Sequence, residues 1–263
     1  MSYLNDVLLG VIEGITEFLP ISSTGHLLVA EHWLGARSEM YNIVIQAGAI
    51  LAVTVIYWRR IVALLTGWGD AANRDYLIKV VVAFLITAVL GLMVKKLGVE
   101  LPTTIKPVAW ALVIGGVWMI VAEALAAKQA DRTAITLRVA IAVGLAQVVA
   151  GLFPGTSRAA ATIFVAMLVG TSNRAAATEF AFLVGIPTMF AASGYEVLKQ
   201  VKGGVSEDWT GLAIAFVVAT LTAFVAVKWL LAYIRSHRFT AFAMYRILFG
   251  GALLVLTATG TLT

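Results

Sequence analysis

The segment from Val7 to Leu34, VLLGVIEGITEFLPISSTGHLLVAEHWL, decides the fold. It is apolar enough to lie in a membrane, yet Pro20-Ile21-Ser22-Ser23-Thr24-Gly25 interrupts it. Each remaining piece is about a dozen residues, short of the roughly 20 that a helix needs to cross a hydrocarbon core. Such a segment reads as a re-entrant helix-loop-helix, with irregular backbone tolerated at membrane depth only where protein or water covers it. Val139 to Val169, VAIAVGLAQVVAGLFPGTSRAAATIFVAMLV, repeats the pattern around Pro154-Gly155-Thr156-Ser157-Arg158.

Outside these two segments, six uninterrupted apolar stretches are long enough to span: Tyr41 to Trp58, Leu77 to Val94, Val108 to Leu125, Phe180 to Tyr195, Leu212 to Tyr233 and Arg246 to Leu262. They read as helices, because alternating ten-residue strand patterns are absent and only helices and closed barrels satisfy the backbone in lipid. The fold class is therefore an all-α polytopic membrane protein.

The two broken segments also resemble each other. Gly10-Val11-Ile12-Glu13 and Phe18-Leu19-Pro20 align with Gly144-Leu145-Ala146-Gln147 and Leu152-Phe153-Pro154 at an offset of 134, which also places Ser23 on Ser157. That offset is close to half the chain, so the sequence reads as one membrane domain of two repeats, 1–132 and 133–263. Each repeat holds one hairpin and three spans. An odd number of spans makes the second repeat enter from the opposite side, an inverted-topology architecture in which the two broken loops meet near the midplane.

Composition agrees. Of 263 residues, 61% are hydrophobic and 13% charged, with a mean hydropathy of +0.95, against about 45–50% and about 25% in a soluble domain. Disorder is excluded, and nucleic acid is not an expected partner, because the net charge of +5 is dispersed in short clusters at the ends of apolar stretches. The absence of cysteine rules out disulfides, thiolate nucleophiles and Cys-ligated metal. No Lys or Arg precedes Arg37, and Glu13 and Glu17 interrupt the first apolar run, so the N-terminus reads as mature protein rather than a secretory signal.

Counting from Arg59 and Arg60 as cytoplasmic, twelve cations fall on that side: Arg59, Arg60, Arg74, Lys79, Lys128, Arg132, Arg138, Arg174, Lys228, Arg235, Arg238 and Arg246. Six fall outside (Arg37, Lys95, Lys96, Lys106, Lys199 and Lys202), and Arg158 stays within the membrane. The positive-inside rule then puts both termini outside.

A charge at the centre of a membrane helix costs about 2.5–3.5 kcal/mol, so Glu13, Glu17, His26 and Arg158, all in the broken segments, would cost roughly 10 kcal/mol unpaired. They are the candidate site. Glu13 and Glu17, four residues apart, share a helical face about 6 Å apart. In a poorly hydrated site one carboxyl holds a proton or a cation lies between them. Oxygen ligands of this kind suit a divalent cation, Mg2+ or Ca2+, together with substrate phosphate oxygens.

Ser22, Ser23 and Thr24 precede one helix, and Gly155, Thr156 and Ser157 precede another. Their N-termini are ready-made anion sites, and Arg158 between them matches phosphate oxygens. Ser23 and His26 add a hydroxyl and an imidazole suited to nucleophilic and acid–base roles. The set points to phosphoryl transfer, whose transition state spreads negative charge.

The remaining features are weaker. Gln46 either lines the pocket or hydrogen-bonds across helices. Gly185 and Pro187 are expected to kink the span from Phe180 to Tyr195. Glu123 and Glu179 read as interfacial, His32 and His237 as interfacial or loop residues, and Trp58, Trp68, Trp110, Trp118, Trp209 and Trp229 as belt or packing residues.

The stretch from Glu13 to Leu27 and the stretch Pro154-Gly155-Thr156-Ser157-Arg158 strongly resemble the two signature motifs of the undecaprenyl-diphosphate phosphatases of the bacitracin-resistance type. Gln46 to Val53 and Phe182 to Thr188 resemble that family as well, so the match runs over nearly the whole chain. The resemblance implies a bacterial inner-membrane enzyme that hydrolyses a prenyl diphosphate to the monophosphate and inorganic phosphate, recycling the lipid carrier of peptidoglycan precursors and conferring bacitracin resistance. It implies a divalent-cation or general-base role for Glu13 and Glu17, nucleophile or proton-transfer roles for Ser23 and His26, and a diphosphate-holding role for Arg158. One departure stands out: Ala159 and Ala160 follow Arg158 where the family commonly has Ser-Gly, which removes a hydroxyl from position 159.

The rival class is a secondary transporter or lipid flippase, because inverted repeats with discontinuous helices at the midplane also serve transport. A scaffolding role is the third class. The sequence leaves open whether Ser23, His26 or water attacks, which leaflet the pocket faces, and whether the protein is a homodimer. Besides the lipid substrate, only membrane lipids are implied as partners.

Overall fold

The computed structural model describes residues 3–98, 104–203 and 207–262, so both chain ends, expected outside, lie beyond the described residues. The described residues form eleven helices and no strand: α1 (Tyr3–Thr16), α2 (Ser23–Leu34), α3 (Glu39–Ile56), α4 (Trp58–Thr66), α5 (Ala71–Lys96), α6 (Ile105–Ala126), α7 (Leu137–Leu152), α8 (Arg158–Val169), α9 (Arg174–Gly203), α10 (Trp209–Tyr233) and α11 (Thr240–Ala258). Helices α3, α5, α6, α9, α10 and α11 are long and apolar enough to cross a membrane. Their outward faces are apolar too. On α5, Ile78, Val81, Leu85, Val89 and Leu92 are all exposed, a stripe that lipid covers and water would not tolerate. The protein is a multi-pass membrane protein.

Two spans differ from the sequence reading. The sixth begins at Thr240 rather than Arg246, because Ala241-Phe242-Ala243-Met244-Tyr245 continues the helix. Arg246 consequently lies inside the span and is fully buried. It is not a flanking cation, and the charge count drops to eleven against six. The fourth span lies in a helix that reaches from Arg174 to Gly203 and passes through Pro187 without a break.

The halves correspond closely in local structure. Helices α2 and α8 are each 12 residues and end at Gly35 and Gly170. Ser38 caps α3 through the Tyr41 N–H at 3.0 Å, and Asn173 caps α9 through the Ala176 N–H at 3.0 Å. Before the loops the correspondence keeps the offset of 134, since Gly10 and Gly144 both lie against a backbone carbonyl, those of Ala215 and Ala83. After the loops it is one residue larger. Ser22 and Ser157 are the non-glycine residues with positive φ among those described, at 73° and 66°, and both are N-caps. Ser22, not Ser23, is therefore the counterpart of Ser157, and Ser23 is the counterpart of Arg158.

The halves interlock. Helix α1 packs on α10, and α7 packs on α5. At the centre α6 crosses α11, where a Cβ on Gly116 would fall 2.8 Å from the Ala243 carbonyl and one on Gly250 would fall 2.8 Å from the Ala109 carbonyl. Absent side chains let the backbones touch, which is how membrane helices associate without a hydrophobic driving force between them.

Ion pairs brace the periphery. Asp6 accepts from Arg37 and from the Tyr41 hydroxyl, each at 2.9 Å. Glu123, read from sequence as interfacial, is buried and accepts from Arg174 Nε at 2.7 Å and from the Phe239 N–H at 3.4 Å.

Candidate active site

The loops 17–22 and 153–157 separate α1 from α2 and α7 from α8. The Glu17 N–H donates to the Glu13 carbonyl at 2.9 Å, so Glu17 continues the helical register just past α1 and keeps the face that Glu13 occupies. Phe18 anchors this loop edge-on against Phe182 of α9, with ring centroids 5.1 Å apart. At each loop end a serine in the left-handed region turns the chain into the next helix. Ser22 Oγ accepts from the Gly25 N–H at 3.5 Å, and Ser157 Oγ accepts from the Ala160 N–H at 3.3 Å. Non-glycine residues reach this backbone region only at an energetic cost, and such strain gathers at functional sites.

This geometry brings the first residues of α2 and α8 together at one carboxylate. Ser23 Oγ donates to Glu17 Oε2, and Arg158 Nη2 donates to Glu17 Oε1. Glu17 is almost fully buried, whereas the Arg158 side chain keeps a quarter of its surface accessible. Both helix N-termini, with their unpaired N–H groups and positive dipole ends, thus face the same point. Glu13 is fully buried, and neither of its carboxyl oxygens has a hydrogen-bond partner among the described residues.

His26 turns another way. Its Nδ1 lies 2.7 Å from the Ser22 carbonyl, which can only accept, so Nδ1 carries a proton, and in the neutral ring Nε2 is the acceptor. The Tyr245 hydroxyl, 2.7 Å from Nε2, donates to it, and the ring stacks on Phe249 with centroids 4.5 Å apart. The structure does not join His26 to Ser23 or Glu17 by a hydrogen bond.

Of the remaining candidates, Thr24 is exposed beside Ser23, and Gln46 is half-buried on α3 outside the hydrogen-bonded network. Gly155 (φ 95°) lies so close to α6 that a Cβ would fall 2.6 Å from the Val108 carbonyl. Gly155 and Thr156 direct their carbonyls to Arg246, each at 2.9 Å. A cleft opens beside Glu17 and Arg158, walled by Ile50 of α3, Ala159 and Thr162 of α8, and Ala181, Phe182, Gly185 and Met189 of α9. Ala159 contributes a methyl to this wall, so the departure at that position makes the cleft more apolar.

Sequence reasoning missed Arg246 and Tyr245. The signal was present: an arginine follows six residues able to begin a span, and placing the boundary after them hid it.

The chain matches the family model of the bacitracin resistance protein BacA over residues 6–252. It belongs to the BacA family. A protein of Rhizobium etli named undecaprenyl-diphosphatase is 70% identical over 262 residues, 99% of each chain. One from Xanthomonas euvesicatoria pv. vesicatoria with the same name is 64% identical over 254 residues, 96% of each chain. The BacA family assignment covers both loops and α11 as far as Ala252, and so every residue of the network described above.

Proposed function

We propose that this protein is an undecaprenyl-diphosphatase whose Ser23 attacks the terminal phosphorus of the lipid diphosphate. The observation that carries this reading is the placement of Ser23 and Arg158 on the two oxygens of Glu17, a nucleophile and base in contact with a cation beside them. Glu17 takes the Ser23 hydroxyl proton as Oγ bonds to phosphorus. The bond from phosphorus to the bridging oxygen breaks, and undecaprenyl phosphate leaves. Water then attacks the phosphoserine phosphorus, the bond from phosphorus to Oγ breaks, Glu17 returns its proton to Oγ, and inorganic phosphate leaves.

Arg158, partly accessible, moves from Glu17 to the phosphoryl oxygens as charge develops on them. The N–H groups at the starts of α2 and α8, with the Thr24 hydroxyl, receive the remaining oxygens. Ser22 and Ser157 hold those helix ends by capping. His26, neutral, receives the hydrolytic water's proton through the Tyr245 hydroxyl that occupies its Nε2.

The unsatisfied, buried carboxylate of Glu13 suits a divalent cation shared with Glu17, since an unpaired charge there is costly and magnesium binds by one or two carboxylates plus substrate phosphate oxygens. Mg2+ or Ca2+ held there would neutralise charge on the diphosphate. The two halves act as inverted repeats whose hairpins enter from opposite leaflets of the bacterial inner membrane, with both termini outside.

The names of the relatives favour hydrolysis over transport. Phosphate release from undecaprenyl diphosphate by the purified protein tests the reading. Loss of release in Glu17→Gln and Arg158→Ala with unchanged thermal stability supports it. Full release by both variants contradicts it, as does substrate uptake by proteoliposomes without hydrolysis.

A further inference from the structure

Arg246 of α11 is fully buried, and no carboxylate pairs with it among the described residues. Its donors go instead to five backbone carbonyls. Nη1 reaches Pro20 at 3.3 Å and Thr156 at 2.9 Å; Nη2 reaches Gly155 at 2.9 Å and Ala111 at 3.1 Å; Nε reaches Leu112 at 3.4 Å. Five N–H groups meet five acceptors, the full donor capacity of a guanidinium. Three of those acceptors belong to the two loops, one from the first and two from the second. The other two belong to α6, the helix that α11 crosses.

A buried arginine without a counter-ion is costly, and a core that needed only to pack would place a Leu or Met here. The fork shape explains the residue. A planar, rigid donor array can fix the relative position of several carbonyls at once, which a lysine cannot. Gly115 leaves the space it occupies, since a Cβ there would fall 2.2 Å from Arg246 Nη2.

We infer that Arg246 is a positioning residue that clamps the two loops to each other, and thereby sets Ser23 and Arg158 on the same carboxylate. The inference deepens the phosphatase reading and rests on it for its kinetic consequence, while the geometric consequence stands without it. A misplacement of about 1 Å between reacting groups costs on the order of 100-fold in rate, so the clamp acts on kcat rather than on substrate affinity.

The absence of cysteine allows spin labels at Ile15→Cys and Phe153→Cys, exposed positions, one near the end of α1 and the other opening the second loop. In the full-length protein in nanodiscs, Arg246→Lys is expected to broaden the label-to-label distance distribution and to lower kcat on undecaprenyl diphosphate by about 100-fold, with KM within about three-fold. Gly115→Ala, which displaces the guanidinium without removing it, is expected to do the same and decides the matter if Arg246→Lys does not fold. An unchanged distance distribution and an unchanged kcat, with only the melting temperature lowered, would show a stability role and overturn the inference. A raised KM at unchanged kcat would overturn it too, by making Arg246 a headgroup contact. If the parent protein hydrolyses nothing, the phosphatase reading fails, and the label distances still judge the clamp.

Discussion

Glu17 holds two partners that pull it toward different tasks. The Ser23 hydroxyl donates to one carboxylate oxygen, as the proposed base requires, and Arg158 donates to the other. Glu17→Gln keeps the shape and removes the basicity, so hydrolysis is expected to fall by about 10²- to 10⁴-fold, measured as phosphate release with the melting temperature as control. His26 meets the Tyr245 hydroxyl at Nε2. Tyr245→Phe removes one hydrogen bond worth about 1 kcal/mol, and an approximately five-fold fall in kcat is expected by steady-state assay. Residues of this kind differ in how visible they are in sequence. Glu13, Glu17 and Arg158 stand out because each is a charge in a broken apolar run, where neither a span nor a loop explains it. Tyr245 does not stand out, since a tyrosine in a membrane helix is ordinary and its partner lies 219 positions away.

At the scale of elements, the breaks at Pro20 and Pro154 were legible because each leaves pieces too short to span. The register between them was less so. Pattern matching carries an offset of 134 straight through the loops, whereas the backbone gains a residue there and pairs Ser22 with Ser157 through their shared cap and positive φ. Ser157→Ala is expected to lower stability by about 0.5–2 kcal/mol through loss of the α8 cap, read in chemical denaturation. Ser157→Gly loses the same bond but relieves the strained φ, and is expected to cost less than the alanine. The crossing of α6 and α11 gives a second test. Gly250→Ala would press a methyl against the Ala109 carbonyl and the Leu112 Cβ, 2.8 and 2.9 Å away. Overpacking of this kind is expected to lower stability by about 1–3 kcal/mol. The start of α11 was misread for a physical reason: a span boundary is set where charge ends an apolar run, and Arg246 is a charge satisfied by carbonyls inside one.

For the molecule as a whole, six apolar helices form a scaffold that brings two polar loops to one carboxylate. Burial of the loops excludes water from Ser23 except where substrate enters, which strengthens every charge interaction there. If Glu13 and Glu17 hold a divalent cation, EDTA is expected to abolish phosphate release, and added Mg2+ or Ca2+ to restore it. Unchanged activity after exhaustive chelation would remove the metal from the account. The most direct test of the central claim is a rapid acid quench during turnover of substrate labelled on its terminal phosphate, followed by peptide mapping. Acid-stable label on Ser23, absent from Glu17→Gln, is the predicted result. Base-stable, acid-labile label on His26 in a parallel alkaline quench, or solvent oxygen transferred straight into phosphate with no covalent intermediate, would contradict it.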